Sequence, residues 1–174
     1  MATTLEPLSA RQACILNTLA RLEETGLSIF LRESGLAFFT SLTLHSLAMA
    51  FVVGINIAIS LRLLGVGEQQ ALPAFRKFLP LHWMACGLIL ASGIALLLAY
   101  PAKALTNPVF YLKLAALSMG LLITAWLHRG WLQGRVLIRP RLLATAALLC
   151  WCLTIGAGRF LAYTHSVLLA SRYF

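Results

Sequence analysis

Histidine is the commonest protein ligand for a metal ion, and this chain has four, His45, His82, His128 and His165, each in or at the end of a long apolar run. The interval from His45 to His82 equals that from His128 to His165, 37 residues. Both the inner and the outer two are therefore centred on Leu105, which sits in a polar break between two apolar runs. If the runs are antiparallel helices crossing a bilayer, His82 and His128 lie at one depth near one face. His45 and His165 then lie at another depth near the opposite face. Two facing pairs of imidazoles inside a helical bundle are the ligand set of two bis-histidine b-type haems. Neutral imidazole is the iron-binding form and the one that lipid tolerates. At ~1.5 Å of rise per residue the two pairs should stand about 25 Å apart along the bundle. The expected cofactor is haem b, two per chain; a single haem would fall to the deeper, outer pair.

Each histidine also has a plain reading as an interfacial or helix-capping residue, and other metals compete for the same side chains. The cysteines Cys14, Cys86, Cys150 and Cys152 form no CxxC or CxxCH pattern, which excludes a covalent c-type haem and a thioredoxin-like site. Cys150 and Cys152, two apart on a helix, point away from each other. A zinc site needs three or four converging ligands, usually with Cys or carboxylate, but the chain has no Asp and no Glu within an apolar run. Copper favours Met or Cys with His. Met49, four residues after His45, keeps open a haem-free copper-binding or transport protein built on His45, Met49 and His165. A structural membrane anchor with incidental histidines is the other alternative. Haem propionates are anions, and Lys113 and Arg159 are the cations placed inside apolar runs. Both belong to the outer half, although Lys113 is also placed to snorkel to the surface. The intramembrane glycines, Gly93, Gly120 and Gly158 among them, permit close helix contact or the approach of a flat macrocycle.

The elements that position these residues follow from composition. The chain is 60% hydrophobic and 11% charged over 174 residues, too apolar for a water-soluble domain of that size. The formal net charge of +9 resides in short loops between apolar runs, where it reports topology rather than nucleic-acid binding. Four runs, about 36–61, 81–100, 109–128 and 142–165, reach or approach the ~20 residues that span a bilayer. Backbone in lipid must satisfy its own hydrogen bonds, so an all-α, up-down four-helix membrane bundle is expected over 36–174. Residues 1–35 form a polar tail and an amphipathic helix lying in the membrane interface, running from Ser9 to about Phe30, with Ser9 and Gln12 as a capping box. Arg32-Glu33-Ser34-Gly35 should end it, and 101–108 should be a tight turn.

Arg62, Arg76, Lys77, Arg129, Arg135, Arg139 and Arg141 fall at one end of the bundle, against Lys103, Arg172 and a Glu-balanced arm at the other. The positive-inside rule makes the first end cytoplasmic and puts both termini in the periplasm of a bacterial inner membrane. The N-terminus lacks the pattern of a signal peptide.

Arg32-Glu33-Ser34-Gly35, then His45, then Leu61-Arg62-Leu63-Leu64-Gly65 resembles a family of small bacterial membrane proteins of unassigned function. In that family a Glu-Ser motif precedes a histidine-bearing first helix ending in Arg-Leu-Leu-Gly. Phe110-Tyr111-Leu112-Lys113-Leu114 is similar to the family's third helix, which starts with an aromatic and a Lys. The likeness covers most of residues 28–130 and departs at Leu36-Ala37-Phe38-Phe39, where an aromatic-Pro step is usual. In layout the chain also resembles four-helix b-type cytochromes of the cytochrome b561 kind, an analogy of architecture. The reading that results is a membrane b-type cytochrome. It would act as an electron-transfer subunit rather than a stand-alone enzyme, beside a periplasmic or membrane redox protein such as a c-type cytochrome or dehydrogenase, with quinone as a further partner.

Overall fold

The computed structural model describes residues 10–67, 72–132, 139–164 and 169–170. The described chain is helical throughout, with no strand among the described residues. Two short helices come first, α1 (Ala10–Glu23) and α2 (Gly26–Glu33), followed by the long α3 (Gly35–Leu63). A 3₁₀ segment at Leu72–Phe78 leads into α4 (Leu79–Ala99); α5 (Pro101–Leu105) joins this to α6 (Pro108–Leu132), and α7 (Pro140–Tyr163) closes the series.

Four of these helices are long and apolar enough to cross a membrane. Most of each span faces outward, including Leu47, Leu90, Leu122, Leu149 and Phe160. That surface requires hydrocarbon rather than water around it, and the chain is a multi-pass membrane protein. At 29 residues α3 is about 43 Å long, so it tilts or projects beyond a ~30 Å hydrocarbon layer.

The spans match the expected ones apart from their ends, and the ends matter. Pro80, Pro101 and Pro140 lie in the first turns of α4, α5 and α7, where a missing N–H costs nothing. α6 runs past His128 to Leu132, so that histidine lies a full turn inside the helix rather than at its end. α7 ends at Tyr163, and His165 is outside the described residues. The expected turn at 101–108 contains the single helical turn α5.

The N-terminal arm differs more. One interfacial helix was expected, but the chain breaks between Glu23 and Gly26, and Thr25 caps α2 by accepting from Ser28 N. Ser9, the expected cap of the arm, lies outside the described residues. Ser34 serves two helices: its N–H closes α2 on Phe30 O and its hydroxyl accepts from Ala37 N at the start of α3. The arm is docked on the bundle rather than only floating in the interface. Leu16, Leu19 and Ala20 are buried with Ala102 and Ala170, and Ser28 Oγ donates to Leu98 O on α4 at 2.8 Å.

Within the bundle α3 packs along α4 and α7, and α6 packs along α7. The backbones of α4 and α6, though joined through α5, come close almost nowhere. That seam is bridged by side chains. The centre is apolar: Ala48, Val52 and Val53 of α3, Ala85 and Ile89 of α4, and Ala147 and Trp151 of α7. Trp151 is fully buried, and its ring lies over Gly120, where an added Cβ would stand 3.2 Å away. Its indole N–H has no hydrogen-bond partner among the described residues.

Candidate functional site

Two layers of polar side chains stand inside the bundle, one on each side of the Trp151 core. The inner layer, near the ends of the bundle where Arg62 and Arg129 sit, is built from α3, α4 and α6. Asn56 projects from α3 and is buried; its Nδ2 lies 2.7 Å from Val52 O and 2.8 Å from His82 Nε2, while Thr124 Oγ1 donates to its Oδ1 at 2.6 Å. A carbonyl only accepts, so the atom beside Val52 O must be the amide nitrogen, and the Asn56 flip is determined by its neighbours. The second amide hydrogen then goes to His82 Nε2, which must accept. His82 is therefore neutral in this network and carries its proton on Nδ1, which faces Cys86 Sγ at 3.9 Å, one turn along α4. Asn56 has spent both donors and an acceptor lone pair, and so holds one imidazole in one tautomer.

His128 enters the same layer from α6. Its ring centre is 5.5 Å from that of His82, with the planes 82° apart. Trp83 flanks both imidazoles edge-on, at 5.2 Å from His82 and 6.1 Å from His128. Both histidines are buried. The sequence-predicted inner pair is therefore brought together, across the helices whose backbones stand apart.

The outer layer holds His45, Ser92 and Lys113. Ser92 Oγ donates to Leu88 O at 2.6 Å, one turn back on α4, and lies 3.1 Å from His45 Nδ1. With its hydrogen committed to Leu88, the Ser92 oxygen accepts from His45 Nδ1–H, leaving the lone pair on Nε2. Two glycines provide the space. A Cβ at Gly93 would stand 3.3 Å from His45 Cε1, and one at Gly158 would stand 3.5 Å from Lys113 Cε and 3.7 Å from its Nζ. Lys113 thus crosses bare backbone of α7. Arg159 takes another place. It is exposed, with its guanidinium over the Tyr163 ring at 5.0 Å, on the outside of α7 rather than between the layers. The partner expected for His45, His165, is outside the described residues.

Eleven residues of α3 separate His45 from Asn56, and ten of α4 separate His82 from Ser92. The layers are therefore about 15 Å apart, closer than the ~25 Å obtained from span ends. Both inner histidines lie inside their helices, and His45 sits level with Ser92. Asn56, Thr124 and Ser92 were not singled out as partners by sequence, though a signal existed. His45 with Asn56, and Lys113 with Thr124, are each 11 residues apart, about three turns, so each pair lies on one stripe of its helix.

The donor set can be compared with the haem it was expected to hold. Imidazoles bonded at about 2 Å on opposite sides of one metal have ring centres about 6 Å apart, close to the separation of the inner rings. Two buried histidines on facing helices are a donor set that could hold a b-type haem. One contact opposes ligation through His82 Nε2: the Asn56 amide, which iron would have to displace. Among the described residues no group of three or more His, Cys, Asp or Glu side chains is arranged to hold a bare metal ion. Comparisons with protein-family models, curated proteins and solved structures find no match for this chain.

Proposed function

We propose that this chain is a membrane-embedded electron carrier in which His82 and His128 hold a b-type haem at the seam between α4 and α6. The carrying observation is the meeting of the two buried imidazoles, ring centres 5.5 Å apart, between helices whose backbones stand apart. When bound, the haem supplies one-electron chemistry. The chain's own residues would supply the two imidazoles that hold it, the apolar core of Val52, Val53, Ala85 and Ile89 beside them, and Trp83 as a flank. The greater depth of the outer pair in its spans favoured it for a single haem; the hydrogen bond of His45 with Ser92 and the meeting of His82 with His128 move that preference to the inner pair. Asn56 holds His82 Nε2 by a hydrogen bond and would have to release it for that nitrogen to hold a haem.

The described loops are too short to form a catalytic domain, so the chain serves as a subunit passing electrons to or from a redox protein such as a c-type cytochrome or dehydrogenase. The bias of Arg and Lys toward the inner-layer end supports a bacterial inner membrane with that end cytoplasmic and both termini periplasmic.

The test is a reduced-minus-oxidised visible spectrum of the purified chain with pyridine-haemochrome quantification. One low-spin b-type haem per chain is expected, lost in His82→Ala and in His128→Ala and kept in His45→Ala. Protein purified from haem-replete membranes without an α-band, or haem kept in both inner variants, overturns the assignment.

A second reading has one observation in its favour, the Asn56–His82 hydrogen bond. A neutral histidine held in one tautomer between Asn56 and Cys86 is the form a haem-free proton relay would use. The same spectrum separates the two.

A further inference from the structure

The outer layer contains chemistry that the inner pair does not use. Lys113 is an ammonium inside a membrane span, and no carboxylate lies within any described span. Such a group is costly in the hydrocarbon layer and marks a ligand or ion site by default. His45 stands three turns from Asn56 on α3 as Lys113 stands three turns from Thr124 on α6, and Asn56 and Thr124 are hydrogen-bonded; at that level His45 offers no negative charge to offset the ammonium. Because Ser92 accepts from Nδ1, the acceptor of His45 is Nε2. The pair is an acceptor beside a cation. A carboxylate alone would satisfy Lys113 and leave His45 unused, and a cation would be repelled. The group that satisfies both carries an acidic hydrogen on an oxygen. The hydrogen is donated to Nε2, and the oxygen, or one elsewhere on the same molecule, faces the ammonium. His45 and Lys113 are half-buried within the spans, so a ligand reaches them from the bilayer.

We propose that His45 and Lys113 bind the ionisable O–H of a weak acid dissolved in the membrane, a quinol hydroxyl or a fatty-acid carboxyl, with Ser92 fixing the His45 tautomer. Gly93 and Gly158 are the positions that let these two side chains lie inward. The site stands whether or not a haem occupies the inner layer.

The test uses the full chain in phospholipid nanodiscs and two radiolabelled probes, a short-tailed benzoquinol kept reduced and decanoic acid. Saturable binding of at least one is expected, weakened about tenfold by His45→Ala and by Lys113→Met, the loss of a hydrogen bond to a charged or basic group. Lys113→Arg, which keeps the charge, should stay within about threefold, and Cys152→Ser, exposed on α7 away from both layers, should bind as the unsubstituted chain does. Quinol alone, acid alone or both identify the source of the O–H. If His45→Ala or Lys113→Met melts early, Ser92→Ala replaces it and should weaken binding about threefold by releasing the tautomer. No saturable binding of either probe, or binding indifferent to His45, Lys113 and Ser92, overturns the proposal. Failure of the haem reading is seen separately in the visible spectrum.

Discussion

Asn56→Leu is the perturbation for which the geometry makes the sharpest demand, because it should move two measurements in opposite directions. The substitution keeps volume and apolar contact on α3 but removes the amide that bonds His82 Nε2 at 2.8 Å and receives Thr124 Oγ1 at 2.6 Å. Thr124 can turn its hydroxyl to the Gly120 carbonyl one turn back on α6, so it recovers. His82 Nε2 has no such recourse and becomes a buried unpaired acceptor. Hydrogen bonds between membrane helices contribute about 0.6 kcal/mol on average and up to about 1.7, and an orphaned buried acceptor costs about 1–3 kcal/mol. The haem-free chain should therefore lose about 2 kcal/mol, read by denaturant unfolding in mixed micelles. The haem-bound state should respond the other way. If His82 holds the haem through Nε2, Asn56 would compete for that nitrogen; removing the competitor in advance should lift a cost of about 1 kcal/mol and tighten apparent haem affinity about fivefold. Haem titration of the same preparation followed at the Soret band gives that number. Unchanged unfolding would refute the hydrogen-bond network. Lower stability together with weaker haem binding would refute the competition and make Asn56 a support of the liganded imidazole.

Other expectations are simpler. Gly120→Ala places a Cβ 3.2 Å from the Trp151 ring and should cost about 1–3 kcal/mol through overpacking; pairing it with Trp151→Phe should recover part of that loss in the same unfolding assay. Ser28→Ala removes the bond from α2 to Leu98 O, so amide exchange in α1 and α2 should accelerate while α3 to α7 keep their protection. Cys14 is exposed on the docked arm and Cys152 is exposed on a membrane-facing flank of α7. A membrane-impermeant maleimide should label Cys14 from the periplasmic side and leave Cys152 unlabelled; labelling of Cys14 only from the cytoplasmic side would reverse the proposed orientation.

The spans were legible because nothing but four long apolar helices accommodates this composition. The convergence of His82 and His128 was legible because a short turn makes antiparallel helices symmetric about Leu105. What sequence reading missed has physical reasons. The break at Thr25 depends on a side chain choosing to cap, and Thr tolerates a helix interior as well as a cap. The docking of the arm on α4 and α5 needed tertiary contacts that amphipathicity alone does not specify. The layer spacing was overestimated because helix ends in this chain extend beyond the histidines, by a full turn at α6. The roles of Asn56 and Ser92 could not be read at all without knowing which helix faces α3, although the 11-residue stripes marked their faces.

The two layers also decide how far the proton-relay reading can reach. A proton moves between side chains only along hydrogen-bonding groups, each within reach of the next. Between Asn56 and His45 the bundle offers Val52, Val53, Ala48, Ile89 and Trp151, about 15 Å. The Trp151 indole nitrogen donates and cannot accept, so it cannot pass a proton on, and the buried Thr154 commits its hydroxyl to Cys150 O of its own helix at 2.8 Å. A relay at His82 would therefore serve the inner half alone and leave His45 and Lys113 without a part in it. An electron carrier with its redox group in the inner layer and a weak-acid site in the outer layer uses both, and Trp151 packed on Gly120 then acts as the dry partition that keeps protons of the two halves apart. Trp151→Ala, which opens that partition, should raise passive proton leak in liposomes holding the purified chain, and an unchanged leak would show that the apolar layer seals without it.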